Sequence, residues 1–270
     1  MKREEIAELI LNKLDKEKNS IGELYKNSSA KIGYFYIDNL LPDELAKKIY
    51  NSFPSPDSMK MRKSLREYKY IAAQMDQYDP ILEECIYAFQ DARIVSFIQD
   101  ICGIESLYPD KYLYAGGISL MAKGSFLNPH LDNSHEKDRA KWRVLNLLYY
   151  ISPNWEGCFG GNLEIWPEGP QKKQITIDST FNRLVVMATH GASWHSVSPI
   201  VVDEKRACVS NYYFSDQSLK ADDTFHVTSF RGRPEQNFRD VILRADILLR
   251  QSIRKIFPKG AVKTDHLYKK

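Results

Sequence analysis

No two cysteines in this sequence stand in a CxxC spacing; the four, Cys85, Cys102, Cys158 and Cys208, are scattered along the chain. Their spread excludes the usual thiolate zinc clusters and the dithiol redox motif. The opening stretch, MKREEIAELILNKLDKEKNS, is charged throughout and has no apolar h-region, which argues against a secretory signal. Reduced, core-packed thiols in a cytoplasmic protein are therefore expected. No apolar run reaches about 18 residues, so no membrane span is expected. Neither sign of charge dominates: 38 basic against 35 acidic side chains leave a formal net charge of +3. That balance gives no reason to expect a nucleic-acid partner. Repeats, low-complexity tracts and a Pro/Gly/Ser-rich linker are missing too, so one domain is expected over residues 1–270.

What is present is the material of a folded core, 43% hydrophobic and 12% aromatic over 270 residues. Residues 3–18 put Ile6, Leu9, Ile10 and Leu14 on one stripe and read as a helix. KIGYFYIDNLL reads as a strand entering a turn. PDELAKKIYNSF, DPILEECIYAFQ and ARIVSFIQDICG read as helices, the last stopped by Gly103. The polar stretch 56–68 reads as a loop.

From about residue 111 the texture changes to short β-rich runs bounded by Gly, Pro, Asn or Asp: KYLYAGGISLMA, WRVLNLLYYIS, GGNLEIW, KQITIDS, RLVVMAT, SWHSVSPIVV and KRACVSNYYFS. This spacing predicts a mainly β sandwich or jelly roll with flanking helices, an α+β architecture. Residues 1–110 would form a helical and mixed support region, 111–230 the core, and 231–270 a basic amphipathic helix and tail. In FRDVILRADILLRQSIRKIF, Phe238, Val241, Ile242, Ala245, Leu248, Leu249 and Ile256 share a face; Arg239, Arg244, Arg250 and Arg254 lie largely off it. That face would pack on the body or on a second subunit; the alternative is an anionic lipid surface, with RGRP and KTDHLYKK adding charge. Pro258 and Gly260 would end the helix. A monomer and a homodimer are equally compatible with the sequence.

The stretch GSFLNPHLDNSHEKD concentrates two histidines and three acidic residues. In a strand, residues i and i+2 project to the same side, so His130 and Asp132 can chelate one ion. His195 follows a buried-looking strand and a glycine-containing turn, which makes it the candidate third ligand. Two histidines and a carboxylate leave adjacent positions open, as Fe(II) requires to take a bidentate co-substrate and dioxygen. Eleven residues beyond His195 stands Arg206, whose guanidinium suits the distal carboxylate of a dicarboxylate. Lys205 is the competitor; only one of two successive strand residues faces inward, and the register with NYYF favours arginine.

With these residues in place the chain resembles the Fe(II)- and 2-oxoglutarate-dependent oxygenases, in particular their prolyl-hydroxylase-like branch, from about residue 119 to 214. GSFLNPHLD resembles the branch's Gly-x-x-Leu-x-x-His-x-Asp approach to the metal. RVLNLLYYIS is similar to its central strand, GGNLEIW to a Gly-Gly-x-Leu-x-Leu strand, and HSVSPI with RACVSNYYF to the second histidine and the co-substrate strand. The resemblance implies a double-stranded β-helix (jelly-roll) core in which His130, Asp132 and His195 hold Fe(II), with 2-oxoglutarate and O2 as co-substrates. It places the distal carboxylate on Arg206, Tyr150 and Ser210, with Asn146 on the co-substrate side of the central strand. Met121 stands where the branch often has tyrosine, and Asn146 where it often has threonine. The implied reaction hydroxylates an unactivated C–H bond and releases succinate and CO2. An aspartate at 132 argues against the halogenating relatives.

The substrate expected is a small metabolite, sugar or natural-product intermediate, shaped by segments 133–141, 154–159, 167–173 and 215–225. A prolyl or peptidyl hydroxylase and a non-catalytic metal-binding jelly roll are the alternatives; a structural zinc site lacks a fourth ligand. His135 is expected on an exposed insertion and His190 in a loop, neither as a ligand. Arg143 is read either as approaching the pocket or as an exposed strand end. Cys208 and the tryptophans at 142, 155, 166 and 194 are read as core.

Overall fold

The computed structural model describes residues 1–256 and 267–268. Its elements run α1 (Arg3–Lys16), α2 (Lys18–Ser28), β1 (Tyr34–Ile37), α3 (Asp43–Asn51), β2 (Lys60–Lys63), β3 (Glu67–Ala72), α4 (Pro80–Ala88), α5 (Ala92–Cys102), β4 (Tyr108–Pro109), β5 (Gly117–Met121), β6 (Phe126–Leu131), β7 (Trp142–Tyr150), β8 (Leu163–Ile165), β9 (Ile175–Ile177), β10 (Arg183–Ala188), β11 (His195–Val197), β12 (Arg206–Ser215), β13 (Ser229–Phe230) and α6 (Asn237–Ile256). The strands join in the order β1-β10-β7-β12-β5-β3-β6-β11-β8-β9, with β2 on β3, β4 on β12 and β13 on β6.

Alternation along β7 and β12 divides the interior in two. Leu147, Tyr149, Val209 and Tyr213 turn outward and share a core with Phe89 of the segment joining α4 to α5, and with Ile6 and Ile10 of α1. Tyr150 and Cys208 turn inward, where they meet Leu163, Ile165, Ile177, Val185 and Met187. Residues of β8 and β9, at one end of the strand path, thus pack on β7 and β10 near the other. The sheet is curled on itself. It is the expected jelly roll, with the helices on its outer face.

Several expectations change. The stretch 56–68 is not simply a loop, since it holds β2 and the start of β3. Its residues are polar because a strand with one face toward solvent needs few apolar side chains. β3 pairs with both β5 and β6, so the support region supplies part of the core sheet. The helix read over 3–18 ends at Lys16, and α2 follows, burying Ile21 and Tyr25.

The tail helix differs most. α6 docks through Leu243 and Asp240; Arg231 donates to both Asp240 carboxylate oxygens, at 2.7 and 2.9 Å, and Arg66 pairs with Asp246. The predicted apolar face is not covered by the described body: Phe238 is 81% exposed and Leu248 66%. The expected helix stop at Pro258 and Gly260 lies outside the described residues, as do most of KTDHLYKK and the side chains of Arg254 and Ile256. No described helix is long and apolar enough to cross a membrane.

Candidate metal centre and co-substrate pocket

β6 and β11 are antiparallel neighbours in which His130 faces His195 directly. The pairing carries a bulge around Asn128 and Pro129, a place where a residue without an N–H costs no ladder bond. The two imidazole centroids are 4.1 Å apart, and Phe230 of β13 stacks on His130 at 5.1 Å. Asp132 stands just past the end of β6. Its Oδ1 is 3.6 Å from His130 Nε2 and its Oδ2 3.4 Å from His195 Nε2. One donor atom from each of the three lies within 4.8 Å of the others.

The protonation pattern suits a cation. His130 Nδ1 donates to the Asn128 carbonyl at 3.0 Å and His195 Nδ1 to the Ser193 carbonyl at 2.9 Å. A carbonyl only accepts, so in a neutral ring Nδ1 carries the proton and Nε2 turns its lone pair toward the centre. Burial, with the neighbouring His195, holds the His130 imidazole below its ordinary pKa. Burial opposes charge on Asp132, but Arg143 and the two imidazoles outweigh it and hold the carboxyl well below its usual range. Neutral imidazoles and an ionised carboxylate are what a divalent metal needs.

Arg143 and Asn146 form the support behind Asp132. Arg143 Nη2 lies 3.0 Å from Asp132 Oδ2, and Asn146 Nδ2 donates to the same oxygen at 2.7 Å. Arg143 Nε donates to Asn146 Oδ1 at 3.0 Å, while its guanidinium carbon sits 3.7 Å from the Tyr212 ring centroid. Asn146, which the resemblance puts on the co-substrate side, thus has both ends of its amide engaged by Asp132 and Arg143. Arg143 is buried, not an exposed strand end. The sequence hid this, because residues three apart in a regular strand point to opposite faces. In β7 the register slips: Tyr213 pairs with Leu145 but Phe214 with Arg143, so Val144 is an extra residue and Arg143 turns inward beside Asn146. Arg143→Met is expected to weaken Fe(II) affinity by about 10–100-fold, the usual cost of losing a ligand's supporting partner. Metal titration followed by tryptophan fluorescence checks this.

On β12, Arg206, Cys208, Ser210 and Tyr212 share the inner face, and Lys205 is exposed. Arg206 is 4% exposed, and among the described residues no carboxylate pairs with it. Nη1 donates to the Gly161 carbonyl at 2.9 Å, Nη2 meets the Met121 sulfur at 3.0 Å, and Nε has no hydrogen-bond partner. The guanidinium carbon is 5.0 Å from the Tyr150 ring centroid, and the buried Tyr150 hydroxyl is unpartnered as well. A Cβ at Gly161, where φ is +71°, would come within 2.9 Å of Arg206 Cδ, so glycine makes room for this arginine. A desolvated cation without an anion is costly, and these orphaned groups fit an anionic ligand's end. Ser210 lines the cavity that opens beside His130 and Asp132, about 360 Å³ in volume; Arg206 and Tyr150 are not among its lining residues.

Neither of the other two histidines nearby in sequence joins the cluster. His135 is buried, not exposed as expected, because its ring packs edge-on to Phe225 at 5.6 Å next to the Trp142–Phe225 stack. His190 is also buried, and its Nδ1 accepts from the Ala192 N–H. Trp155 and Trp166 are core residues, while Trp142 and Trp194 are half-buried.

The donor set fits Fe(II): three mixed nitrogen and oxygen ligands, no fourth among the described residues, and a cavity at the remaining positions.

Comparison with known proteins agrees with this chemistry. The family model described as the 2OG-Fe(II) oxygenase superfamily matches residues 116–214. No curated protein matches the chain at a significant level. A Pseudomonas putida prolyl-4-hydroxylase structure is similar over 73% of this chain and 100% of its own, with a TM-score of 0.53 and 16% identity. A Phytophthora capsici prolyl 4-hydroxylase covers 80% of this chain and 67% of its own at TM-score 0.54 and 17% identity. The non-heme alpha-ketoglutarate-dependent carbocyclase of nogalamycin biosynthesis covers 78% and 86% at 0.53 and 14%. At such identities the structures speak for the fold alone, and the family match for the chemistry. Residues 116–214 thus match the model of the 2OG-Fe(II) oxygenase superfamily, whose members use Fe(II), 2-oxoglutarate and O2, and His130, Asp132 and His195 all fall within the matched stretch.

Proposed function

We propose that this enzyme hydroxylates an unactivated C–H bond of a small molecule, with His130, Asp132 and His195 as its iron ligands and Arg206 as the anchor of 2-oxoglutarate. The single observation that carries the reading is an open three-donor centre in the same curled sheet as a buried Arg206 that pairs with no carboxylate among the described residues. With Fe(II) and 2-oxoglutarate bound, the site supplies an oxidant for C–H bonds; the sum is substrate–H, O2 and 2-oxoglutarate giving substrate–OH, succinate and CO2.

The protein's part is to bind and orient. The Nδ1–H bonds to Asn128 and Ser193 fix both imidazoles, and Arg143 with Asn146 fixes Asp132. Arg206 and the Tyr150 hydroxyl would take the distal carboxylate, which sets the direction from which the 2-oxo acid end meets the metal. The inward aliphatic residues Leu163, Ile165 and Val185 keep water from that end.

The test is release of labelled CO2 from 2-oxoglutarate carrying the label at C1. The Fe(II)-loaded protein is expected to consume 2-oxoglutarate slowly alone and faster with a substrate from a small-molecule panel. Chelation should abolish turnover, and Zn(II) should not restore it. Full activity with Zn(II), or stimulation by peptides and by no small molecule, would contradict the proposal.

A further inference from the structure

Among the described residues, α6 meets the body along one side and leaves the other side bare. Asp240 and Asp246 tie it down through Arg231 and Arg66, and Leu243 is buried beneath it. Phe238, Val241, Ile242, Ala245, Leu248 and Leu249 are all exposed on the opposite side. With Ser252, also exposed, positions 238, 241, 245, 248 and 252 are spaced alternately three and four residues apart. That is the repeat of a helix that packs its length on another helix.

The stripe is self-complementary. Val241 and Ile242 stand four and three residues before Ala245, and Leu248 and Leu249 three and four residues after it. Ala245, the smallest of the set, is at the centre, where two backbones could approach closely. An isologous contact requires one surface to match itself across a two-fold axis. Two copies of α6 laid antiparallel about Ala245 meet that requirement: the Val241–Ile242 half of each covers the Leu248–Leu249 half of the other. Their helix dipoles then oppose, which favours the antiparallel sense.

Other occupants fit less well. A helix lying on anionic lipid carries cations beside its apolar face. Here Arg239 lies over the Phe126 ring at 5.6 Å, and Arg250 donates to the Thr228 carbonyl, so both turn toward the body. Arg244 is the one exposed cation of α6 among the described residues. The described residues of the tail are engaged elsewhere: the Leu267 carbonyl accepts from Gln74, and the Tyr268 hydroxyl donates to Glu83. Area favours a second copy. Phe238 and Leu248 are more than half exposed, as are Val241 at 64% and Leu249 at 61%. Large apolar side chains exposed to this degree present on the order of 500 Å². The two-fold doubles this to about 1,000 Å², where specific interfaces begin.

We propose that the exposed face of α6 is a dimer interface, on which a second copy of this chain seats its own α6 antiparallel, with the two-fold axis at Ala245. An interface of this size makes a reversible dimer, so association depends on concentration. The inference stands on α6 and does not rest on the oxygenase reading.

The test is sedimentation velocity on the full chain, over concentrations up to about 100 μM, a range that reveals micromolar association. A monomer–dimer equilibrium is expected. Leu248→Glu should weaken it by about ten-fold or more, since the new carboxylate would be buried in the contact. Its Tm at low concentration should match wild type, because position 248 faces solvent in the monomer. Cysteine cross-linking reads the orientation, with the exposed Cys158 replaced by serine. Ala245→Cys should form a disulfide-linked dimer under mild oxidation. Phe238→Cys should not, because its two copies would stand about 20 Å apart along the helices. A monomer at every concentration, or a dimer unaffected by Leu248→Glu, overturns the inference. So does cross-linking through position 238 and not 245, which would mean parallel helices. Monomers that bind vesicles of equal parts phosphatidylcholine and phosphatidylserine, and lose that binding in Leu248→Glu, would assign the face to lipid instead.

Discussion

His195→Ala is expected to yield a folded protein that no longer retains Fe(II) and decarboxylates 2-oxoglutarate at least about a thousand-fold more slowly, because the metal's several kcal/mol of charge stabilisation are lost. The choice of ligand matters. Asp132 is the partner of the buried Arg143 and Asn146, so Asp132→Ala would also strand a guanidinium in the interior, at a cost of about 3–5 kcal/mol in stability. His195 carries no such partner, and its ring gives up one hydrogen bond to the Ser193 carbonyl. The two variants should therefore both be inactive yet differ in thermal stability, His195→Ala melting close to wild type and Asp132→Ala well below it. Bound iron and Tm, measured on the same preparations, check this. Iron retained at wild-type level in His195→Ala would remove His195 from the site.

Arg206→Ala is expected to raise the half-saturating concentration of 2-oxoglutarate by about 10²–10³-fold, as loss of a buried charge partner worth about 3–5 kcal/mol implies. Turnover at saturation should change much less, since the guanidinium is remote in role from the metal ligands. The apoprotein provides a second signature. A buried cation with no carboxylate partner among the described residues destabilises the fold, so Arg206→Ala should not lower the Tm without ligand and should raise it if repacking is good. Added 2-oxoglutarate should stabilise wild type by mass action and leave the variant unaffected. If wild type and variant gain the same Tm from 2-oxoglutarate, the distal carboxylate is held elsewhere.

Much of this was legible in the sequence because its signals are local. Strand periodicity marks β7, β10 and β12, and an i, i+2 pair followed by a distant histidine marks the donors that β6 and β11 bring within 4.8 Å. The unread parts depend on departures from regular geometry or on contacts between distant segments. The Val144 bulge reverses the face of Arg143, which strict alternation hides. β2 and β3 contain Lys, Arg, Tyr and Glu with little apolar contrast, so neither their pairing with each other nor that of β3 with β5 and β6 has a periodic signature. His135 lies in a polar run that predicts exposure, and Phe225, some ninety residues on, is what buries it. For α6 the amphipathic pattern was readable, but a pattern does not say what covers the face.

The central claim is that 2-oxoglutarate bridges the His130, Asp132 and His195 centre and Arg206. Its most direct test is the visible charge-transfer band of the iron chelate, recorded anaerobically as 2-oxoglutarate is added to the Fe(II)-loaded protein. The account predicts a saturable band in wild type, none in His195→Ala, and a band in Arg206→Ala that needs about a hundred-fold or more 2-oxoglutarate. A folded wild-type protein that binds Fe(II) yet gives no band at any 2-oxoglutarate concentration would contradict it.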